Sequence, residues 1–508
     1  RWIYNMSGVP GGDSLYGSRG EIYKYTVDLA HGWMTLWNTS RVVSNAGSWI
    51  RNSMGTTFNV SQNGYQTRSR NAGYEWNKTI PVGLPGSVNE YFLFDRIIGS
   101  NLVSRTAENL ISERMNKPIP LWGISVKPGQ EGTLLFNTTW TPPQEDLMIS
   151  FGAVSLEDKV FTLWSKETRQ YWGFSLDTGQ QLWGPTAMQD YLDIFGQRRF
   201  IANGKMFAQG MSGILHCYDV KTGELLWTYS DKDQRSEVLW SNQWSLRPLF
   251  ITDGKIYMGQ SEHSANQPLP RGAPFVAVDI ETGEEVWKSY SLFRQTDWGG
   301  RAIIGDSIIA TMDTYDQRIY AIGKGPTATS IMASPKTSVM GSSVVVEGTV
   351  TDISPSTEEY GLAARFPNGV PAVSDESMSD WMLYVHKQFP RPADATGVEV
   401  TLSVLDSNNN YREIGKTTAD SDGFFSFEWI PDIEGKYTVY ASFQGSKSYY
   451  PSHAETAFVV NPAPEPIDNT DTTNVPTEPP LDLYLAVATA LIIAAIAVVG
   501  ILLLRKRP

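Results

Sequence analysis

The sequence predicts an all-β protein of several domains with one C-terminal transmembrane helix, and three observations carry that prediction. A turn-and-tryptophan motif recurs at intervals of 41 to 60 residues, the composition favours short strands and tight turns, and a 22-residue uncharged apolar run lies near the end. At 508 residues the chain exceeds one ordinary domain. Its 12% aromatic residues, 44 glycines and 17 tryptophans, against 19% charged residues, suit pleated, half-buried surfaces joined by turns. The net charge of −13 sets nucleic acid aside as a partner, because phosphate binding rests on clustered Lys and Arg. One cysteine leaves no intramolecular disulfide and no Cys-rich metal centre. The chain begins with Arg1 rather than Met and shows no signal peptide, so it reads as processed or as a fragment.

The motif is clearest in GFSLDTGQQLW (Gly173 to Trp183), CYDVKTGELLW (Cys217 to Trp227) and AVDIETGEEVW (Ala277 to Trp287). Weaker copies lie at Thr26 to Trp37, around Gly73 and at Gly123 to Gly129, and Tyr320 to Pro326 reads as a closing copy. The turn glycines Gly32, Gly73, Gly129, Gly179, Gly223, Gly283 and Gly325 mark seven units. Between them recur a hairpin turn and a hydrophobic strand, as in NGKMFAQ from Asn203 and DGKIYMG from Asp253. Four-stranded units at this spacing predict an about seven-bladed β-propeller over residues 1–325, a ring in which neighbouring units cover each other's faces. In the most complete copy Ala277 is small so that a tryptophan can lie against it, and Asp279 accepts N–H groups of the turn. Thr282 and Gly283 make the turn, with Gly283 supplying a positive φ, and Trp287 covers the contact between units. Asp219, Gly223 and Trp227 fill the same slots in the preceding copy, and Gly179 and Trp183 in the one before.

The pattern A-x-D-x-x-T-G-x-x-x-W, complete at Ala277 to Trp287, resembles the repeat of the quinoprotein (PQQ-type) β-propellers. The resemblance is strongest over residues 150–325 and looser before that. It implies a fold rather than an activity, since the family holds both quinone-dependent dehydrogenases and non-enzymatic scaffolds such as the outer-membrane assembly lipoprotein.

Residues 326–461 alternate apolar and polar residues in strands at Ser342 to Ile353, Val398 to Asp406, Phe424 to Pro431, Tyr437 to Gly445 and Ala454 to Val460. They predict an immunoglobulin-like β-sandwich without a disulfide. The segment G-x-T-T-x-D-x-D-G-x-F, Gly415 to Phe425, resembles Ig-like modules of bacterial and archaeal surface proteins. An insertion over 355–397 holds Met378, Trp381, Met382 and Val385 at the spacing of one helix face, suited to core packing or to docking a partner. Residues 462–481, rich in Pro and Thr, form a stalk. Residues 482–504 form the transmembrane helix, and the basic tail 505–508 places the C-terminus in the cytoplasm and the rest outside. Asn5, Asn38, Asn59, Asn77 and Asn137 head N-x-Ser/Thr acceptors for glycosylation on that outer side.

For chemistry the sequence offers little. The resemblance implies, for its dehydrogenases, a catalytic Asp, calcium and an adjacent-Cys disulfide over the quinone, whereas Cys217 stands alone in the small-residue slot of its repeat. No metal site is expected: the five histidines have no zinc spacing, and the Asp406–Asn410 and Asp420–Gly423 clusters read as turns rather than calcium loops. No catalytic residue is assigned and no cofactor is predicted, with PQQ kept as an option. The loop Ser261 to Pro274 stands as a candidate binding surface, and Trp240, Trp244, Trp298 and Arg301, near the junctions between units, read first as structural residues and otherwise as the lining of a polar-aromatic site. The expected function is that of a membrane-anchored cell-surface binding or scaffold protein recognising an extracellular protein, glycan or small ligand. The alternatives are a quinone- or metal-dependent oxidoreductase at the propeller funnel and a structural component of a surface coat.

Overall fold

The computed structural model describes residues 3–6, 9–44, 65–68, 73–102, 118–144, 147–191, 198–210, 212–232, 243–262, 273–290, 295–296, 302–313, 316–465 and 481–505. Among them, most strands between residues 15 and 322 fall into six successive antiparallel sheets, while Tyr65–Arg68 pairs parallel with Ile3–Met6 and Gln295–Thr296 parallel with Lys255–Glu262. The second sheet comprises Ser87–Phe92, Arg96–Ser100, Ile119–Ser125 and Leu134–Trp140; the third Ile149–Ser155, Val160–Ser165, Gln170–Ser175 and Gln181–Trp183. The fourth holds Arg198–Ala202, Lys205–Gln209, Leu215–Asp219 and Leu225–Tyr229; the fifth is built on Leu246–Thr252, Lys255–Glu262, Phe275–Asp279 and Glu285–Ser289. Their middle strands are buried on both faces, as in Val160–Ser165, which is what packing between neighbouring blades requires. Asn203-Gly204 and Asp253-Gly254 turn their hairpins with positive φ at both residues, the conformation that matches strand twist.

Two of the seven turn glycines belong elsewhere than their spacing suggests. Gly32 and Gly73 both serve the first sheet (Leu15–Tyr16, Ile22–Asp28, Trp33–Asn38, Tyr74–Thr79), because the strand beginning at Tyr74 pairs with Trp33–Asn38 across a long insertion. Gly325 makes no repeat turn: its N–H donates to the Ser448 carbonyl and its own carbonyl accepts from Tyr450 N–H, stitching the chain to the next domain. The sixth sheet, Ile303–Gly305, Ile308–Asp313 and Arg318–Ile322, has three strands among the described residues.

Beyond it, two sheets pack face to face. One pairs Thr327–Ser334, Val344–Asp352, Val370–Pro371 and Phe424–Trp429; the other runs Thr337–Val339, Ser452–Asn461, Gly435–Phe443, Glu399–Leu405, Tyr411–Thr418. Val344, Val346 and Val350 of the first meet Val400, Leu402, Val404, Val439 and Phe458 of the second in one core, so the alternation read in the sequence is the inward face of a sandwich. The 355–397 insertion contains the helix Met378–Lys387. Leu481–Arg505 forms a 25-residue helix, about 37 Å long, whose stretch Tyr484–Leu502 has a mean hydropathy of 2.9; it is long and apolar enough to cross a membrane.

Candidate functional site

The repeat residues make joints between sheets. Asp279 Oδ1 accepts from the backbone N–H of Glu281 and Thr282 and from the Thr282 hydroxyl, at 2.8, 2.9 and 3.2 Å. Those backbone bonds hold the Asp279 carboxyl below its usual range. Asp219 does the same for Lys221 and Thr222. In the first copy Ser175 Oγ takes this place, which releases Asp177 to bind Arg96 of the second sheet at 2.9 Å. The tryptophan of each copy then reaches forward. Trp183 Nε1 donates to the Val220 carbonyl at 2.9 Å and Trp227 Nε1 to that of Ile280 at 3.2 Å. The rings lie so close to the next turn that a Cβ on Gly223 would sit 2.4 Å from Trp183, and one on Gly283 2.6 Å from Trp227. Both glycines also have φ near +75°. The small slot has the same cause: a Cβ on Gly173 would lie 2.1 Å from Trp183, while Cys217 and Ala277 pair across the strand with Trp227 and Trp287. Trp287 has no such turn ahead of it and packs edge-on against Phe275.

A different set of residues gathers at the other end of the strands. In four consecutive antiparallel strands the first and third connections leave from one end, and the second, with the link to the next sheet, from the other. Sheets two to five put their tight turns (156–159, 203–204, 253–254, 176–180, 220–224, 280–284) at the first end. The strand ends joined by the longer stretches of sequence, Ser100 to Ile119, Glu262 to Phe275, Trp183 to Arg198 and Tyr229 to Leu246, all lie at the second, together with the short turn 166–169. Buried polar side chains collect there too: Ser165, Arg169, Thr186, Gln189, Gln209, Asp231, Gln243, Gln260 and Ser289.

Between the third and fourth sheets these form an aromatic and polar cluster. Arg169 donates from Nε and Nη2 to the Gln189 carbonyl and from Nη1 to that of Glu167, and the Gln189 amide donates to the Tyr218 hydroxyl at 2.9 Å. Tyr218 lies against Tyr171 and stacks on His216, Tyr171 stacks on Trp164, and the Arg199 guanidinium covers Trp164 at 4.1 Å. Burial lowers the His216 pKa, so the imidazole is neutral at pH 7. Between the fourth and fifth sheets, Asp231 Oδ1 receives the Tyr290 hydroxyl at 3.3 Å and Lys288 at 3.5 Å; Lys288 also pairs with Glu285 at 2.9 Å. Burial raises the Asp231 pKa despite that lysine. Asp231 Oδ2, Gln243 Oε1, Gln260 Oε1 and Ser289 Oγ are buried without a hydrogen-bond partner among the described residues. Unpaired buried acceptors cost about 1–3 kcal/mol each and mark sites kept for something other than stability.

Of the tryptophans singled out in the sequence, Trp244 takes the structural role: it is buried in a core with Leu246 and Met258 and lines no surface. Trp240, Trp298, Arg301 and residues 263–272 of the Ser261 to Pro274 loop lie outside the described residues. Asn38 is corrected as a glycosylation acceptor: it is buried, its amide donates to Glu75 and its carbonyl accepts from Arg41 N–H. Asn77 and Asn137 are exposed, Asn5 lies on the strand Ile3–Met6, and Asn59 lies outside the described residues. Arg169, Gln189, His216 and Asp231 escaped the sequence reading. Strand parity was the signal, because all of them lie at the end away from the Thr-Gly turns.

The family described as outer membrane protein assembly factor BamB matches residues 132–325. The matched stretch contains the three clearest turn-and-tryptophan copies, so it is similar in sequence to that propeller repeat. Similar solved structures include BamB from Moraxella catarrhalis, 10% identical with a TM-score of 0.30 over 71% of this chain and 89% of that one. Quinohemoprotein alcohol dehydrogenase ADHIIG from Pseudomonas putida HK5 is 10% identical with a TM-score of 0.29, over 65% of this chain and 61% of that one. No curated protein sequence matches the chain. The donor set that the resemblance implies for quinone catalysis does not fit the PQQ-type repeats here. Cys217 is fully buried with its thiol pushed up to about 12 by desolvation, and no second cysteine can join it. No three His, Cys, Asp or Glu side chains converge on a metal position among the described residues.

Proposed function

We propose that this chain is a single-pass membrane protein whose propeller binds a protein, glycan or small ligand at the end bearing its long connections, with recognition by shape and polarity rather than catalysis. One observation carries the reading: the strand ends joined by long stretches of sequence, the aromatic and polar cluster of Trp164, Tyr171 and Gln189 and the buried acceptors around Asp231 share that end, while the other end carries the Thr-Gly and Asn/Asp-Gly turns. The apolar helix Leu481–Arg505 supports anchoring, and Arg505, Lys506 and Arg507 after it favour a cytoplasmic C-terminus with the propeller outside. On this reading the sandwich is an immunoglobulin-like module of residues 326–461 that, with the stalk, spaces the propeller from the membrane. Asn77 and Asn137, exposed on outer strands, are then the glycan acceptors. The test places a photo-crosslinking residue at Met188 or Tyr191, both exposed on the long-connection end, or at Asp253 or Glu281, exposed on the other, in the full chain displayed on cells. Crosslinked partners from the first pair alone are expected; partners from the second pair alone would overturn the reading. Quinone-dependent oxidation is the competing function, and turnover after reconstitution with calcium and PQQ would replace recognition with catalysis.

A further inference from the structure

We infer that helix Met378–Lys387 of the sandwich is the clasp that closes the fifth and sixth propeller sheets, so that propeller and sandwich fold as one cooperative unit. The forward latch used by Trp183 and Trp227 ends at Trp287, because the chain after the sixth sheet turns into the sandwich at Gly325 instead of making a Thr-Gly turn. The helix takes the vacant position. Ser379, Leu383 and Lys387, spaced four apart, lie on one side of it. Ser379 Oγ donates to the Lys288 carbonyl of the fifth sheet at 2.6 Å. Leu383 is buried among Phe275, Ala302 and Ile309, with Trp287, Tyr320 and Ile322 around them. Lys387, its side chain 8% exposed, binds the carboxylates of Asp313 and Asp316 at the far end of the sixth sheet and lies over the Tyr320 ring at 4.6 Å.

The other side of the helix belongs to its own domain, where Trp381 and Val385 pack with Leu362, Val370 and Val373. Ten residues do not hold a helix in water unaided, so this one exists only between two cores and loosens when either is lost. Taking away Lys387 would remove the ammonium that binds the buried Asp313 and the part-buried Asp316 together, the costly way to break such a cluster.

The test uses the full chain in detergent, read by calorimetry and by hydrogen exchange with mass spectrometry. The native chain is expected to unfold its propeller and sandwich in one transition. Lys387→Met is expected to split that transition and to lower protection across Ile308–Ile322 about a hundredfold or more, while Val160–Ser175 keeps its protection. Adding Asp313→Asn and Asp316→Asn to Lys387→Met is expected to restore most of the protection, which a misfolded chain would not do. Leu383→Ala, which leaves the ion cluster intact, serves if the lysine variant does not accumulate, and the same split is expected. Two separate transitions in the native chain, or unchanged protection of Ile308–Ile322 in both variants, would overturn the inference.

Discussion

Replacing Trp183 by alanine removes a ring that is 7% exposed, wedged between the backbone of its own sheet at Gly173 and the turn of the next at Gly223. Burial of an aromatic side chain of this size is worth about 3–5 kcal/mol on truncation to alanine. The whole of that range applies, because two walls of the resulting cavity are glycine backbone held by strand pairing, while side chains of the same core, Met206 and Tyr218 among them, can close part of it. Within it, about 1 kcal/mol belongs to the bond from Nε1 to the Val220 carbonyl. Phenylalanine at the same position separates the two contributions, since it keeps most of the apolar fill and leaves the carbonyl without its donor. Hydrogen exchange on the full chain reads the effect locally. Protection in Leu215–Asp219 and Gln170–Ser175 should fall by about two to four powers of ten in Trp183→Ala, and by about one to two in Trp183→Phe. The sandwich strand Gly435–Phe443 serves as the internal control. Unchanged protection in the fourth sheet on truncation to alanine would show that the tryptophan is not what joins the two sheets, and the account of the repeat would fail with it.

Two further predictions concern single titratable groups. Burial lowers the pKa of His216 and of His386 from the ordinary value of 6.5, so the folded state favours neutral imidazole. Their contribution is complete above about pH 6.5 and is lost as pH falls through the folded pKa values; the melting temperature should drop between pH 7 and 5, and His216→Gln with His386→Gln should flatten that slope. An unaltered slope would refute it. Cys217, with its thiol pushed up to about 12, should resist a thiol reagent at pH 8 in the native chain and react only after unfolding, and fast native labelling would contradict its packing role.

What was legible in the sequence depended on how far apart the interacting residues lie. The turn of Asp279, Thr282 and Gly283 is visible because its bonds span three residues. Strand alternation in the sandwich is visible because the face a residue takes is set by its parity along the strand. The helix stripe at Trp381 and Val385 was legible as a core face, yet the opposite stripe was not, since the contacts of Leu383 with Phe275 and Ile309 join segments far apart in the chain. Gly73 misled because an insertion can separate two strands of one sheet by as much as a whole repeat. Asn38 carries an intact acceptor motif, but only its partners Glu75 and Arg41 reveal that the amide is taken. The polar residues around Tyr218 and Asp231 sit in links and at strand ends, where spacing varies, so no motif gathers them before the sheets do.

The way the sandwich is strung has a mechanical consequence. Its first strand, Thr327–Ser334, follows directly on the propeller, and its last, Ser452–Asn461, leads toward the apolar helix. That last strand is held along its length by Gly435–Phe443 on one side, and near its end by Thr337–Val339 running parallel on the other. A pull between propeller and helix therefore loads these ladders in shear, where the bonds must give way together rather than unzip one by one. The sandwich is strung to bear tension.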